Sequence, residues 1–186
     1  MKTVHTLILG LGLLTACLPD DVTDGLPVDS DVEHTSDTAD TGPDTDDTGD
    51  TEDEAPSIHG SWRSEGGDLA PLLVQYFGFT TVNAQFKANS NYSVSADADD
   101  GKTYDFAGTY AVSGEGPIHR IVLSQTSPSS ATAEGIFRVQ GDTLTYEVVQ
   151  TQPDFGFTPP TPATGFGSTK GDGVEPDANT QVYRRL

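Results

Sequence analysis

The chain has 186 residues, 34% of them hydrophobic, with one cysteine and 29 acidic residues against nine basic ones for a formal net charge of −20. Charge of that sign opposes a phosphate backbone, which excludes nucleic acid as an expected partner. A lone cysteine excludes an internal disulfide, and the length allows one folded domain with a single core.

The first residues have the layout of a secretory signal over 1–16: a basic start at Lys2, an apolar stretch from Thr6 to Leu14, then small residues. That stretch is too short to span a bilayer, which takes about 20 apolar residues. Leu14-Thr15-Ala16-Cys17 resembles the lipobox of bacterial lipoproteins. The resemblance implies cleavage before Cys17, lipid of the diacylglycerol and palmitate kind on that residue, and a membrane anchor in the cell envelope. Two or three acyl chains anchor stably where one binds reversibly. Leu18 stands where an Asp would cause inner-membrane retention under the sorting rule of some such lipoproteins. Its presence favours the outer membrane or the cell surface of a Gram-negative bacterium. The alternative is an unmodified thiol behind a signal peptide.

Residues 17–57 join this cysteine to the rest of the chain. From Pro19 to Ser57 the composition shifts to Asp, Thr, Gly, Glu, Pro and Ser, with a few small or aliphatic residues and no Lys, Arg, Phe, Tyr or Trp. Such a segment cannot bury enough apolar surface to offset its ordering entropy, so a disordered linker is expected. It holds 15 of the acidic residues, whereas residues 58–186 hold 14 acids against eight bases and are only mildly acidic. A flexible coil of this length spans on the order of 35 Å, and like charges extend it. The run Asp44-Thr45-Asp46-Asp47-Thr48-Gly49-Asp50 invites a calcium reading. Its irregular spacing, with no bidentate glutamate a fixed distance after a required glycine, favours a solvated spacer.

Residues 58–186 show period-two alternation and no helical periodicity, which predicts an all-β domain. Strands are expected near Ile58 to Arg63, at Leu72 to Phe77 running on into Val82 to Ala88, and at Tyr92 to Ala96. After the turn Asp100-Gly101, Tyr104, Phe106, Gly108, Tyr110 and Val112 share one face of the next strand. Ile118 to Leu123, the strand through Phe137 and Val139, Leu144 to Val148, and Thr180 to Arg185 complete seven or eight strands. An antiparallel up-and-down barrel of about eight strands is expected, because closure removes exposed edges. A two-sheet sandwich is the alternative.

Ile58-His59-Gly60-Ser61-Trp62 resembles the G-x-W opening of lipocalins and lipocalin-like bacterial domains. The stretch Phe106 to Val112, the strand opening Gly141-Asp142-Thr143-Leu144-Thr145 and the ending Val182-Tyr183-Arg184-Arg185 are similar to those domains too. The resemblance implies a barrel closed at one end by Gly60 and Trp62, with Arg184 or Arg185 as the cationic partner of the tryptophan. The one-sided aromatic face of successive strands makes Phe86, Tyr92, Phe106, Tyr110, Phe137 and Tyr146 candidate lining of an interior that either holds a small apolar or amphipathic ligand or, as an eight-stranded barrel favours, is simply filled by these side chains.

Long loops in compact domains often form lids or binding surfaces. The stretch from Thr151 to Asn179 is such a segment, with five prolines and with Phe155, Phe157 and Phe166 set among glycines. The phenylalanines either pin the loop across the barrel or form a partner-binding patch, and the cost of exposing them favours the first. Catalytic machinery is not evident. His59 and His119 lie inside predicted strands, Asp97, Asp99 and Asp100 suit a hairpin tip, and nothing shows Glu134 facing Glu147 across a cleft. A monomeric, non-enzymatic envelope protein without metal or cofactor is expected. It binds either a small ligand inside the barrel or, with a filled barrel, a protein or glycan in the manner of an inhibitor.

Overall fold

The computed structural model describes residues 57–186. The signal segment 1–16, the lipobox with Cys17, and the acidic linker up to Pro56 lie outside the described residues. The order of elements is β1 (Gly60–Glu65), a 3-10 turn (Gly66–Asp68), α1 (Pro71–Phe77), β2 (Phe79–Phe86), β3 (Asn91–Ala98), β4 (Thr103–Ser113), β5 (His119–Ser127), β6 (Ala131–Gln140), β7 (Thr143–Gln152) and β8 (Gln181–Arg185). Every strand pairs antiparallel with the next, and β8 returns to β1 through Trp62 opposite Arg185 and Arg63 opposite Arg184. The domain is therefore a closed, eight-stranded up-and-down barrel, which leaves no sheet edge unpaired.

Alternation along each strand decides what fills it. Register places Trp62 beside Ala84 and Val94 beside Phe106, and likewise Leu123 beside Ala133 and Phe137 beside Tyr146, all turned inward. Each large apolar side chain buried this way contributes about 1.5–3 kcal/mol. Register shifts at Phe79/Thr81, Ala107/Gly108 and Thr132/Ala133 mark irregularities of the bulge kind, which bend strands.

One predicted strand is a helix. Leu72 to Phe77 belongs to α1, because Pro71 occupies its first turn, where the missing N–H costs nothing, and Gly78 ends it in the left-handed region at φ 65°. The Gly78 N–H donates to the Val74 carbonyl at 3.0 Å, and a β-carbon at Gly78 would strike the Asp99 carboxylate. Leu72 is buried, Leu73 and Phe77 pack against the core, and Val74 and Tyr76 face solvent.

One end of the barrel is sealed. Trp62 is 0% exposed, and its indole N–H donates to the Ile58 carbonyl at 2.8 Å. The Arg185 guanidinium lies 4.1 Å from the Trp62 ring centre and donates to the carbonyls of His59 and Ser57. A cation over an indole face contributes roughly 0.5–2 kcal/mol, and here it also ties the last strand to the chain entering the first. Gly60 fits beneath it at φ 130°, where a β-carbon would sit 2.6 Å from that guanidinium. Arg184 points the other way, to Asp68 at 3.0 Å and the Thr143 hydroxyl at 3.1 Å. Of the two arginines implied as the tryptophan's partner, the geometry brings only Arg185 to it.

The long connection after β7 lies on the outer face of that strand. Glu147 faces outward yet is 1% exposed, because the connection covers it. Its carboxylate accepts hydrogen bonds from the backbone N–H groups of Gly167 and Thr169 and from the hydroxyls of Thr169 and Thr180. Phe157, Leu72 and Val149 form a second small core beneath the connection, joined by Val174 and Ala178. The Leu72 N–H donates to the Ala178 carbonyl at 2.9 Å, fastening α1 to the same segment.

Candidate functional site

The barrel is filled in one half and hollow in the other. Toward the sealed end, Tyr110 meets Phe86 edge-on at 5.2 Å and donates its hydroxyl to the Lys87 carbonyl, while Phe137 stacks on His119 at 5.2 Å. Toward the opposite end lies a cavity of about 120 Å³. Its apolar wall includes Phe79, Phe86, Tyr92, Phe106 and Tyr146, with small Ala96 and Ala133 leaving the space between them. Leu73 of α1, Ala131 beside the β5–β6 turn, and Asn179 where the long connection returns to β8 flank its mouth. Of the six aromatic residues named as interior lining, Phe86, Tyr92, Phe106 and Tyr146 face this cavity. Tyr110 and Phe137 belong to the packed floor below it.

Three glutamines at inward positions complete the lining: Gln125, Gln150 and Gln181. Gln125 donates to the Ser129 carbonyl at 2.9 Å and Gln150 to the Pro153 carbonyl at 3.1 Å. Each amide is thereby oriented by a turn at the mouth. Two further polar atoms are buried with no partner, Gln150 Oε1 and Gln181 Nε2, on side chains 3% and 5% exposed. Burying an amide group without a hydrogen bond costs about 1–3 kcal/mol, and both atoms are covered by protein and do not face the open space of the cavity.

No lining residue carries a charge, and burial keeps the tyrosines neutral. The Tyr92 hydroxyl is pushed up to about 12 by desolvation, and the same cause raises Tyr146 and Tyr183, with Tyr146 raised further by its tyrosine neighbours. Tyr146 and Tyr183 meet edge-on at 6.0 Å.

The other candidate residues do not converge. His59 is exposed near Tyr110, and His119 lies against Phe137 with its Nδ1 at 3.2 Å from the Gly114 carbonyl. Glu134 pairs with Arg120 and accepts from the Thr151 hydroxyl, while Glu147 is held under the long connection. At the β3–β4 hairpin Asp100 pairs with Lys102, and Asp97 accepts from the Thr103 hydroxyl at 2.7 Å. Among the described residues no group of three or more His, Cys, Asp or Glu is placed to hold a metal ion. The three phenylalanines of the long connection form no common patch. Phe157 is buried, Phe166 lies 5.6 Å from the Arg138 guanidinium, and Phe155 alone is largely exposed, at 42%.

Sequence reasoning passed over the glutamines and the latch at Glu147. The glutamines carry a readable signal, a polar residue on the inward parity after Leu123, after Val148 and before Tyr183. The latch carries none, since its burial depends on where a distant segment settles. The chain matches no protein-family model, no curated protein and no solved structure.

Proposed function

We propose that this chain is a cell-envelope lipoprotein, anchored by lipid on Cys17, whose lipocalin-like barrel binds a small apolar or amphipathic molecule in its hollow half. The observation that carries the reading is the cavity of about 120 Å³ walled by Phe86, Tyr92, Phe106 and Tyr146. Apolar cavities near this size hold a single aromatic ring. The sealed end with Trp62 and Arg185, together with eight strands in sequential order, supports the lipocalin-like assignment. The acidic segment after Cys17 serves as a spacer that holds the barrel away from an anionic membrane surface. The protein acts as a single copy, without a metal or cofactor and without catalysing a reaction.

The ligand half of this reading is tested by titrating the purified full-length protein with toluene and following the methyl resonances of Val82, Val94 and Val148. Saturable shifts are expected in the native protein. Ala133→Leu, which places a larger side chain in the cavity, is expected to lower the affinity at least tenfold while leaving the fold intact. Equal binding by both proteins would refute the cavity as the site. The anchor half is tested by mass spectrometry of the protein purified from bacterial membranes, where native protein carries acyl chains at Cys17 and Cys17→Ser does not. Cys17→Ser recovered with the same acyl mass would refute it.

A second reading, an envelope protein that binds a glycan or protein through its outer wall, draws on one observation. Ser61, Asn83, Gln85, Ser93 and Ser95 stand along a second groove that also touches β4 and whose lining is mainly apolar, with Trp62, Ala84 and Phe106 among its walls. Capture of an envelope partner that is lost on Asn83→Arg and kept on Ala133→Leu would favour it over the cavity.

A further inference from the structure

We propose that the ligand of the cavity is a ring-sized molecule carrying an uncharged oxygen group, a hydroxyl or a carbonyl, which hydrogen-bonds to the tyrosine hydroxyls of the cavity wall. This inference rests on the cavity-binding reading and narrows it to a chemical class. Four tyrosines are buried in the barrel, Tyr92, Tyr110, Tyr146 and Tyr183, and they differ in what their hydroxyls meet. Tyr110, in the packed floor, donates to the Lys87 carbonyl at 2.8 Å. A buried tyrosine ordinarily finds a partner of this kind. The other three all line the cavity, and among the described residues no protein group is hydrogen-bonded to their hydroxyls. Nor are those hydroxyls shut in by packing: the covered, partnerless side-chain atoms among the described residues are Ser64 Oγ, Arg138 Nε, Gln150 Oε1 and Gln181 Nε2. A polar atom of a buried residue that is neither partnered nor covered borders open space, and the open space these three tyrosines share is the cavity.

Their placement brings the hydroxyls to bear on one occupant. Tyr92 is on β3 and Tyr146 on β7, four strands apart in either direction round the barrel, so they stand on opposite walls. Tyr183 of β8 meets Tyr146 edge-on at 6.0 Å, and the Phe86 ring lies 6.4 Å from Tyr92 and 6.2 Å from Tyr146. A ring seated against Phe86 and Phe106 therefore carries its substituent among groups from both walls.

The chemistry of a phenol hydroxyl sets the substituent. Each can donate one hydrogen bond and accept others, which suits a ligand hydroxyl or carbonyl. Burial holds all three in the neutral form, Tyr92 with its value pushed up to about 12. No lining side chain is charged, so an ionised group entering the cavity loses its hydration with no opposite charge to meet it. A wholly apolar ring gains the seat and leaves the hydroxyls without partners.

The test titrates toluene, phenol and benzoate at pH 7 calorimetrically into the full-length native protein, into the double variant Tyr146→Phe, Tyr183→Phe, into Tyr92→Phe and into Tyr110→Phe. Toluene and phenol have the same number of non-hydrogen atoms and differ in a methyl group against a hydroxyl. Each variant keeps its ring and loses one oxygen per site. Native protein is expected to bind phenol at least as tightly as toluene and to show no saturable benzoate binding. The ratio of phenol to toluene affinity is expected to fall at least tenfold in the double variant and to stay at the native value in Tyr110→Phe, whose hydroxyl is committed to the floor. Toluene binding without phenol binding in native protein, or a ratio unchanged in both the double variant and Tyr92→Phe, would overturn recognition by the hydroxyls and leave the cavity reading standing. An equal fall of the ratio in Tyr110→Phe would overturn it too, because the effect would then come from packing. Saturable benzoate binding in the cavity would overturn the uncharged class. Binding by none of the three would overturn the cavity reading and this inference with it.

Discussion

Glu147→Ala is expected to release the segment 153–180 from the barrel wall and to lower the stability of the domain by about 2–4 kcal/mol, the order of several hydrogen bonds lost at one buried acceptor group. The carboxylate has no cationic partner among the described residues. It is held by two backbone N–H groups from Gly167 and Thr169 and by two hydroxyls from Thr169 and Thr180. Removing the acceptor leaves those donors facing an apolar methyl group, at about 1–3 kcal/mol for each that stays buried. The segment avoids that cost by lifting, which in turn exposes Phe157, Leu72 and Val149. Part of the loss is then recovered as hydration, and part remains as apolar exposure. Glu147→Gln keeps the shape and one acceptor oxygen, so a smaller loss is expected. Urea denaturation measures the change, and limited proteolysis with mass mapping locates it. New cuts between 153 and 180 are expected in Glu147→Ala. An unchanged midpoint with that segment still protected would show that the latch is not what holds it.

Above pH 10 the barrel is expected to lose stability steeply. Tyr92, Tyr146 and Tyr183 all have hydroxyls raised by burial, Tyr92 to about 12. In the unfolded chain these hydroxyls ionise near pH 10. Below that pH neither state ionises and the contribution of the three is fully present. As pH rises past 10 the unfolded chain gives up protons that the folded one retains, so each tyrosine withdraws about 1.4 kcal/mol per pH unit until its folded value is passed. Three together withdraw roughly 4 kcal/mol per unit, which is comparable with the whole stability of a small domain, about 5–15 kcal/mol. Tyrosinate absorbance and circular dichroism should therefore change together, between about pH 10 and 12. The pair Tyr146→Phe and Tyr183→Phe removes two of the three contributions and should move the transition to higher pH. Ionisation of all six tyrosines of the chain near pH 10 with the barrel still folded would contradict the burial of these three hydroxyls.

Much of the barrel is legible in the alternation of single strands, because a residue's parity decides which face it joins. The strand through Phe106 and Tyr110 and the strand through Leu144 and Tyr146 are readable in this way, as are the turns at Asp100-Gly101 and Gly141-Asp142. Parity also separates Arg185, which shares its face with Tyr183, from Arg184. Parity does not report height along the barrel axis. Phe106 and Phe137 both point inward, yet one walls a cavity and the other packs the floor, and the difference lies in register with neighbouring strands. The helix at 71–77 is hidden for a different reason. Its run Leu72-Leu73-Val74-Gln75-Tyr76-Phe77 is apolar enough for a strand, and only the flanking Pro71 and Gly78 favour a helix. Glu147 is unreadable because its environment is made by Gly167, Thr169 and Thr180, at least 20 residues away along the chain.

The hollow half of the barrel also makes a claim about space alone, free of any choice of ligand chemistry. A crystal of the protein equilibrated with pressurised xenon tests it, since xenon enters dry apolar cavities of this size and scatters strongly. Xenon density among Phe86, Tyr92, Phe106 and Tyr146, with Trp62 and Arg185 undisturbed at the sealed end, is the predicted result. A crystal that takes up no xenon in this space, with side chains filling it, would contradict it.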